Sequence, residues 1–201
     1  MTTHTSTDTS TETTSTGTTS TEATSTDTST QTTSTDTAST AAGASPPVGP
    51  VPAGYTTLTP FFCVDGAAEA IDFYCAVLGA TVVSRFEGPG ETVAHAELQL
   101  AHGRMQLSDP APGHHIVARE VRDDVSNSTV AYLPDVDAAH AKAVELGAVS
   151  YGGPETFVTG DRFAAILDPW GHRWALMTRV EDVDAAEAER RVTDWLAEEG
   201  S

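Results

Sequence analysis

Lysine is almost missing from this chain. Of its ten basic residues only Lys142 is a lysine, against 29 acidic side chains, for a formal charge of −19. A surplus of that sign repels phosphate backbones and anionic membrane surfaces, so neither nucleic-acid binding nor membrane association is expected. Cysteine is limited to Cys63 and Cys75, too few for a disulfide framework, and reduced thiols in a cytoplasmic protein are the expectation. No apolar run reaches the roughly 18 residues of a membrane span. Met1 is followed by neither a basic stretch nor an apolar segment, so no secretory signal is expected.

The first 40 residues lack aromatics, Lys and Arg altogether, and hold 21 Thr and 8 Ser. Such a segment cannot bury enough apolar surface to offset its ordering entropy, and residues 1–45 are expected to be a disordered tail. Its serines recur every four or five residues, each followed by Thr, as in a modified flexible arm or a repeat-expanded spacer. Residues 46–54 read as a Pro/Gly linker. The tail contains five acids (Asp8, Glu12, Glu22, Asp27, Asp36), so 24 acids face ten bases elsewhere, a net of −14. About 150 residues remain, enough for one domain with a real core.

What that remainder contains is periodic. A β-rich apolar run at 59–64 leads to Asp65-Gly66, where Asp65 is a candidate helix cap. Residues 67–78 then place Ala67, Ala70, Ile71, Tyr74, Val77 and Leu78 on one stripe, with Gly79 as the stop. Strand patterns follow at 81–86, 93–100 and 104–108, separated by Gly88-Pro89-Gly90 and His102-Gly103. The order then repeats. A strand at 128–133 precedes a helix over 138–146 capped by Asp135 or Asp137, and strands follow at 148–151, 162–167 and 173–178. Both helices end in Leu-Gly-Ala (78–80 and 146–148), so an internal duplication of about 50–70 residues is inferred. A last amphipathic stretch at 184–198, with Asp184 as its cap, is too polar to stand alone. It is expected to dock on the domain or on a second subunit.

The doubled β-α-β-β-β unit, Ala70-Ile-Asp-Phe-Tyr74 in the first helix, and Asp168-Pro-Trp-Gly-His-Arg-Trp-Ala-Leu176 together resemble the vicinal-oxygen-chelate superfamily, which includes glyoxalase I, bleomycin-resistance proteins and extradiol dioxygenases. The stretches His95-Ala-Glu-Leu98, Met105-Gln-Leu-Ser-Asp109 and Gly160-Asp-Arg162 resemble the PhnB-like branch. The resemblance implies an α+β fold in which two βαβββ modules, at about 58–108 and 128–179, form a cupped mixed sheet within a domain spanning 55–183. A C-terminal helical segment at 184–201 follows, and a homodimer is implied as well. Metal-dependent relatives carry four ligands on the first and last strands of the modules. Those positions correspond here to Thr59, Gln106, Ser128 and Ala175. Only Gln106 is a plausible donor, so neither a metal nor another cofactor is expected.

Strand alternation sorts the remaining side chains by face. His95, Glu97 and Gln99 should share the open side with Gln106, while Ala94, Ala96, Leu98 and Leu100 pack against the helix. Thr59, Phe61 and Cys63 share a face, as do Ser128, Val130 and Tyr132. The expected ligand pocket is Thr59, Phe61, His95, Glu97, Gln106, Ser128, Tyr132 and Arg162, suited to a small organic ligand. Arg162 either clamps a ligand anion or pairs with a nearby carboxylate. His95 and Glu97 are weak catalytic candidates as a base and its orienter, or a structural pair. The expected function is ligand binding or sequestration, with an acidic field favouring cationic compounds. The alternative is a lyase, isomerase or dioxygenase-type enzyme built around His95, Glu97 and Gln106. His114-His115 is expected to be exposed loop, His172 a surface residue of its hairpin, and Trp170 a lid or an oligomer contact.

Overall fold

The computed structural model describes residues 48–122 and 124–199, so the tail expected over 1–45 lies outside the described residues. The first module comprises β1 (Phe61–Cys63), α1 (Ala67–Leu78), β2 (Thr81–Glu87), β3 (Val93–Gln99) and β4 (Arg104–Ser108). The second comprises β5 (Ser128–Tyr132), α2 (Val136–Glu145), β6 (Val149–Thr156), β7 (Asp161–Leu167) and β8 (Arg173–Arg179), and α3 (Ala185–Glu199) closes the order. Each module forms a four-stranded mixed sheet, ordered β1-β4-β3-β2 and β5-β8-β7-β6. In each, the first strand runs parallel to the fourth and the other pairings are antiparallel. The α+β class and the duplication are therefore present in the same strand order twice.

Helix α1 buries the expected stripe of Ala67, Ala70, Ile71, Tyr74, Val77 and Leu78, and adds Phe73. It ends at Gly79 with φ 65°, where a residue without Cβ adopts the left-handed stop without strain. Its start corrects one expectation. Gly66 at the N-cap is itself left-handed and no side chain of the turn caps the helix. The cap comes from Asp109, just past β4, whose Oδ1 accepts from Gly66 N at 2.9 Å and Ala67 N at 3.1 Å. Its Oδ2 accepts from Val93 N at 2.7 Å. Asp65 instead offers its backbone carbonyl to Trp170 Nε1 at 3.0 Å. One carboxylate thus ties together the starts of a helix and a strand, satisfying three amides that would otherwise lack partners.

In α2 the cap is Asp135, accepting from Ala138 N at 3.0 Å. Strand β6 is longer than expected, because Gly152-Gly153-Pro154 reads locally as a loop. It is an edge strand carrying register shifts at Ser150/Gly152 and Gly152/Glu155, and an edge tolerates proline and bulges. Helix α3 begins at the expected cap, with Asp184 Oδ1 accepting from Glu187 N at 2.9 Å. It docks on its own chain: Trp195 meets Phe157 edge-on at 5.1 Å, and Arg191 bridges Glu181 and Glu187.

The two modules share one core. Phe62 of β1, Tyr74 of α1 and Trp174 of β8 form a triangle of rings with centroids 5.4–6.2 Å apart, in the range where aromatic pairs attract. Beneath it lies Asp168, 2% exposed. It accepts from Tyr74 Oη at 2.7 Å, Trp174 Nε1 at 2.9 Å, Trp170 N at 3.0 Å and His172 N at 2.8 Å. Trp170, expected as a lid or oligomer contact, packs on Phe73 and Tyr74 of the first module.

His172 is not the surface residue that its turn position implied. It is half-buried, meets Phe62 edge-on at 4.7 Å, and its Nε2 is buried without a partner. Burial holds its pKa below the ordinary 6.5, and nearby Arg119 adds to this while Asp168 opposes it. A depressed folded pKa means that the unfolded chain takes up the proton first, so stability rises with pH and is lost as pH falls below 6.5. Melting curves should therefore drop between about pH 7.5 and 5.5, and His172→Phe should flatten that slope. An unchanged slope in the variant would assign the acid sensitivity elsewhere.

Candidate functional site

The side of each sheet away from its helix is the open face. In the first sheet, Phe61, Gln106, Glu97 and Ser84 lie opposite one another across four strands, and His95 pairs with Phe86. The alternation places Ala96 and Leu98 in the core, fully buried. Ala94, expected there too, is exposed. The register skips from Phe86↔His95 to Glu87↔Val93, so Ala94 is the extra residue of a β-bulge and drops out of the alternation.

Glu97 is the centre of this face, with its side chain 18% exposed. The hydroxyl of Tyr55, from the segment before β1, donates to its Oε1. Gln106 Nε2 donates to the same oxygen at 3.2 Å and Arg104 Nη1 to Oε2 at 3.1 Å. Tyr55 foremost, with Gln106 and Arg104 behind it, holds this carboxyl below the usual range, so it is ionised at neutral pH. His95 Nε2 stands 3.7 Å from Glu97 Oε1, beyond hydrogen-bond reach, and its ring sits between Phe61 and Phe86 at 6.0 and 6.4 Å. The open face of the second sheet is different in kind. Val130, Ala175 and Ala165 lie opposite one another across β5, β8 and β7, as do Tyr132, Met177 and Phe163 in the next row, and none of these is charged.

The remaining expected residues are dispersed. Thr59 precedes β1 and donates to Thr56 O at 3.4 Å, while Phe61 occupies the place opposite Gln106. Ser128 accepts from Arg173 Nη1 at 2.7 Å, and Val130 rather than Ser128 lies opposite Ala175. Arg162 lies on the α2 side of its sheet, register-paired with Thr178, where its Nε and Nη2 each reach Asp137 at 2.6 Å. That bidentate pair is the carboxylate alternative for Arg162 and directs it away from the open face.

Four metal ligands do not fit here. The facing positions hold Phe61, Gln106, Val130 and Ala175, and the Gln106 amide is turned onto Glu97 and Tyr55. Beside them the Arg173 guanidinium holds Ser128. Among the described residues no three His, Cys, Asp or Glu side chains converge. A divalent ion needs more imidazole, carboxylate or thiolate donors than this set offers.

Next to the polar centre lies a cleft of about 570 Å³ at the seam between the modules. Leu58 and Pro60, Leu78 at the end of α1, Met105, Leu133 and Trp174 supply apolar wall, with Tyr132 and Arg104 at its polar side. It runs along Thr129–Pro134, where β5 is a sheet edge, so backbone groups left unpaired by the sheet also face it. Arg104 belongs to both cleft and centre. Neither Tyr55 nor Arg104 was among the expected residues. Arg104 carried a signal, standing two residues before Gln106 on the same face.

A family model described as Glyoxalase/Bleomycin resistance protein/Dioxygenase superfamily matches residues 55–176. The chain belongs to this superfamily. Uncharacterized proteins of Mycobacterium bovis and Mycobacterium tuberculosis are each 32% identical over 133 residues, 65% of this chain and 88% and 78% of theirs. Among solved structures, a PhnB protein from Bacillus cereus, described as a putative 3-demethylubiquinone-9 3-methyltransferase, is 19% identical. The likeness covers 61% of this chain and 99% of that one at a TM-score of 0.50, which is a likeness of fold. No helix among the described residues is long and apolar enough to cross a membrane.

Proposed function

We propose that this protein is a PhnB-like member of its superfamily that binds a small organic molecule in the seam cleft without a metal. The cleft carries the reading: its volume of about 570 Å³ is that of a ligand pocket, mostly apolar with a few convergent polar groups. Arg104, fixed by Glu97 and by Gln99 Oε1 at 3.2 Å, is a pre-oriented donor at its margin, and the net acidity of the chain favours ligands without excess negative charge. The enzyme alternative draws no support from His95 and Glu97, which are not hydrogen-bonded to each other. A cytoplasmic location fits the two free thiols, and a homodimer fits the exposed Phe86, Val130 and Tyr132.

A fragment screen read by amide chemical shifts tests the reading. Hits should perturb Gly103, Met105 and Thr129–Leu133. Leu133→Trp, which fills the cleft, should weaken them about tenfold or more, the effect of losing a kcal/mol or two of burial. Hits that bind the variant unchanged, or a diverse library with no hits, would sink it.

A further inference from the structure

The polar centre of the first open face is already filled, and by the chain itself. Tyr55 places its hydroxyl between Glu97 and Gln106, donating to Glu97 Oε1 and lying 3.4 Å from the donor Gln106 Nε2. The Arg104 guanidinium carbon stands 4.7 Å above the centre of the Tyr55 ring, within cation–π range. A carboxylate, an amide and a stacked guanidinium converge on one phenol.

What surrounds this contact is unequal. The cradle is held from its own sheet: Glu97 by Arg104 and Gln106, Arg104 by Gln99, and Gln99 Nε2 by the carbonyls of Leu100 at 2.7 Å and Gly103 at 2.9 Å. None of these contacts involves Tyr55. The segment delivering Tyr55 is mostly exposed. Its other hydrogen bonds among residues 52–59 stay inside it: Tyr55 N to Pro52 O, Thr56 Oγ1 to Leu58 O and Thr59 Oγ1 to Thr56 O. Gly54, at φ 85°, lets the backbone come so near that an added Cβ would lie 3.1 Å from Arg104 Nε and Nη2. A prebuilt cradle holds one side chain of a weakly anchored strap, and a segment with so few other contacts opens at low cost.

We propose that Glu97, Gln106 and Arg104 form a recognition site for a hydroxyaromatic group, filled in the free protein by Tyr55 and taken over by the phenol of a ligand. The inference extends the reading above from the seam cleft to the open face of the first sheet, and adds a ligand class and a competition. The carboxylate selects a hydroxyl donor over a plain ring, and the guanidinium selects a ring over an aliphatic alcohol. Arg104 also borders the cleft, whose wall includes Thr56 and Leu58 of the strap.

The test titrates p-cresol and toluene into the full chain and into Tyr55→Ala, followed by amide and imidazole shifts, with melting curves to verify that both are folded. Tyr55→Ala should bind p-cresol about tenfold or more tightly than wild type, as expected of one charge-assisted hydrogen bond freed from a competitor. The shifts should centre on His95, Glu97 and Gln106. Toluene should gain much less, and Tyr55→Ala with Glu97→Gln should lose the p-cresol gain. Equal p-cresol affinity for wild type and Tyr55→Ala, or an equal gain for toluene, would overturn the proposal. Adding Leu133→Trp separates the two sites. Retention of the gain places the phenol at the cradle whatever becomes of the cleft reading. Its loss would put p-cresol in the cleft and overturn this inference while leaving cleft binding supported.

Discussion

Asp168→Ala is expected to destabilise the protein by about 4 kcal/mol, the sum expected when a buried acceptor of several hydrogen bonds is removed and its donors are orphaned. Four donors converge on this carboxylate, two of them aromatic side chains from different modules. Water cannot replace it cheaply, because Tyr74 and Trp174 are 0% and 2% exposed. The loss is also not local. Asp168 secures the turn between β7 and β8 while tying Tyr74 of α1 to Trp174 of β8, so its removal loosens the joint between the modules. Chemical denaturation should show a lower midpoint, and Asp168→Asn, which keeps one acceptor and the shape, should lose about half as much. A change below about 1 kcal/mol would mean that the ring triangle alone holds the modules together.

Asp109→Ala comes next, at about 3 kcal/mol, from the loss of two helix-capping contacts and one strand-initiating contact with an ionised acceptor. The two caps lie at the positive end of α1, where a carboxylate also complements the helix dipole. Asp65→Ala should cost little, since only its backbone carbonyl is engaged. The contrast between these neighbouring acids distinguishes the observed cap from the one that chain order suggests. Hydrogen exchange should locate the damage at Gly66–Ala70 and Val93; uniform weakening would argue against the capping role.

The two Asp residues mark where reading the chain fails. Helix α1, its Gly79 stop, β4 and the β7–β8 turn follow from apolar spacing and from turn chemistry acting over a few residues. The cap of α1 comes from 43 residues away, and no local pattern announces a partner at that distance. Ala94 left the core because a bulge interrupts an alternation that is otherwise intact, and β6 continued through Gly152-Gly153-Pro154 because it is an edge. At the site, alternation placed His95, Glu97 and Gln106 on one face. It could not place Arg162, whose position in the strand puts it on the α2 side, nor give the role of Tyr55, which precedes the first strand and reaches Glu97 only once the strap is folded. The cleft was equally hidden, being made by β5 of one module and the β3–β4 turn of the other.

We propose that an organic ligand, not a metal ion, occupies this superfamily fold in the present chain. The most direct measurement is metal content of the full chain after equilibrium dialysis against Zn²⁺, Ni²⁺, Mn²⁺ and Fe²⁺, each followed by passage through buffer without metal. Phe61, Gln106, Val130 and Ala175 at the facing positions predict well under one ion per chain for every metal. Retention of about one ion per chain, lost on Gln106→Ala or on His95→Ala, would contradict metal-free binding and put metal-assisted chemistry in its place.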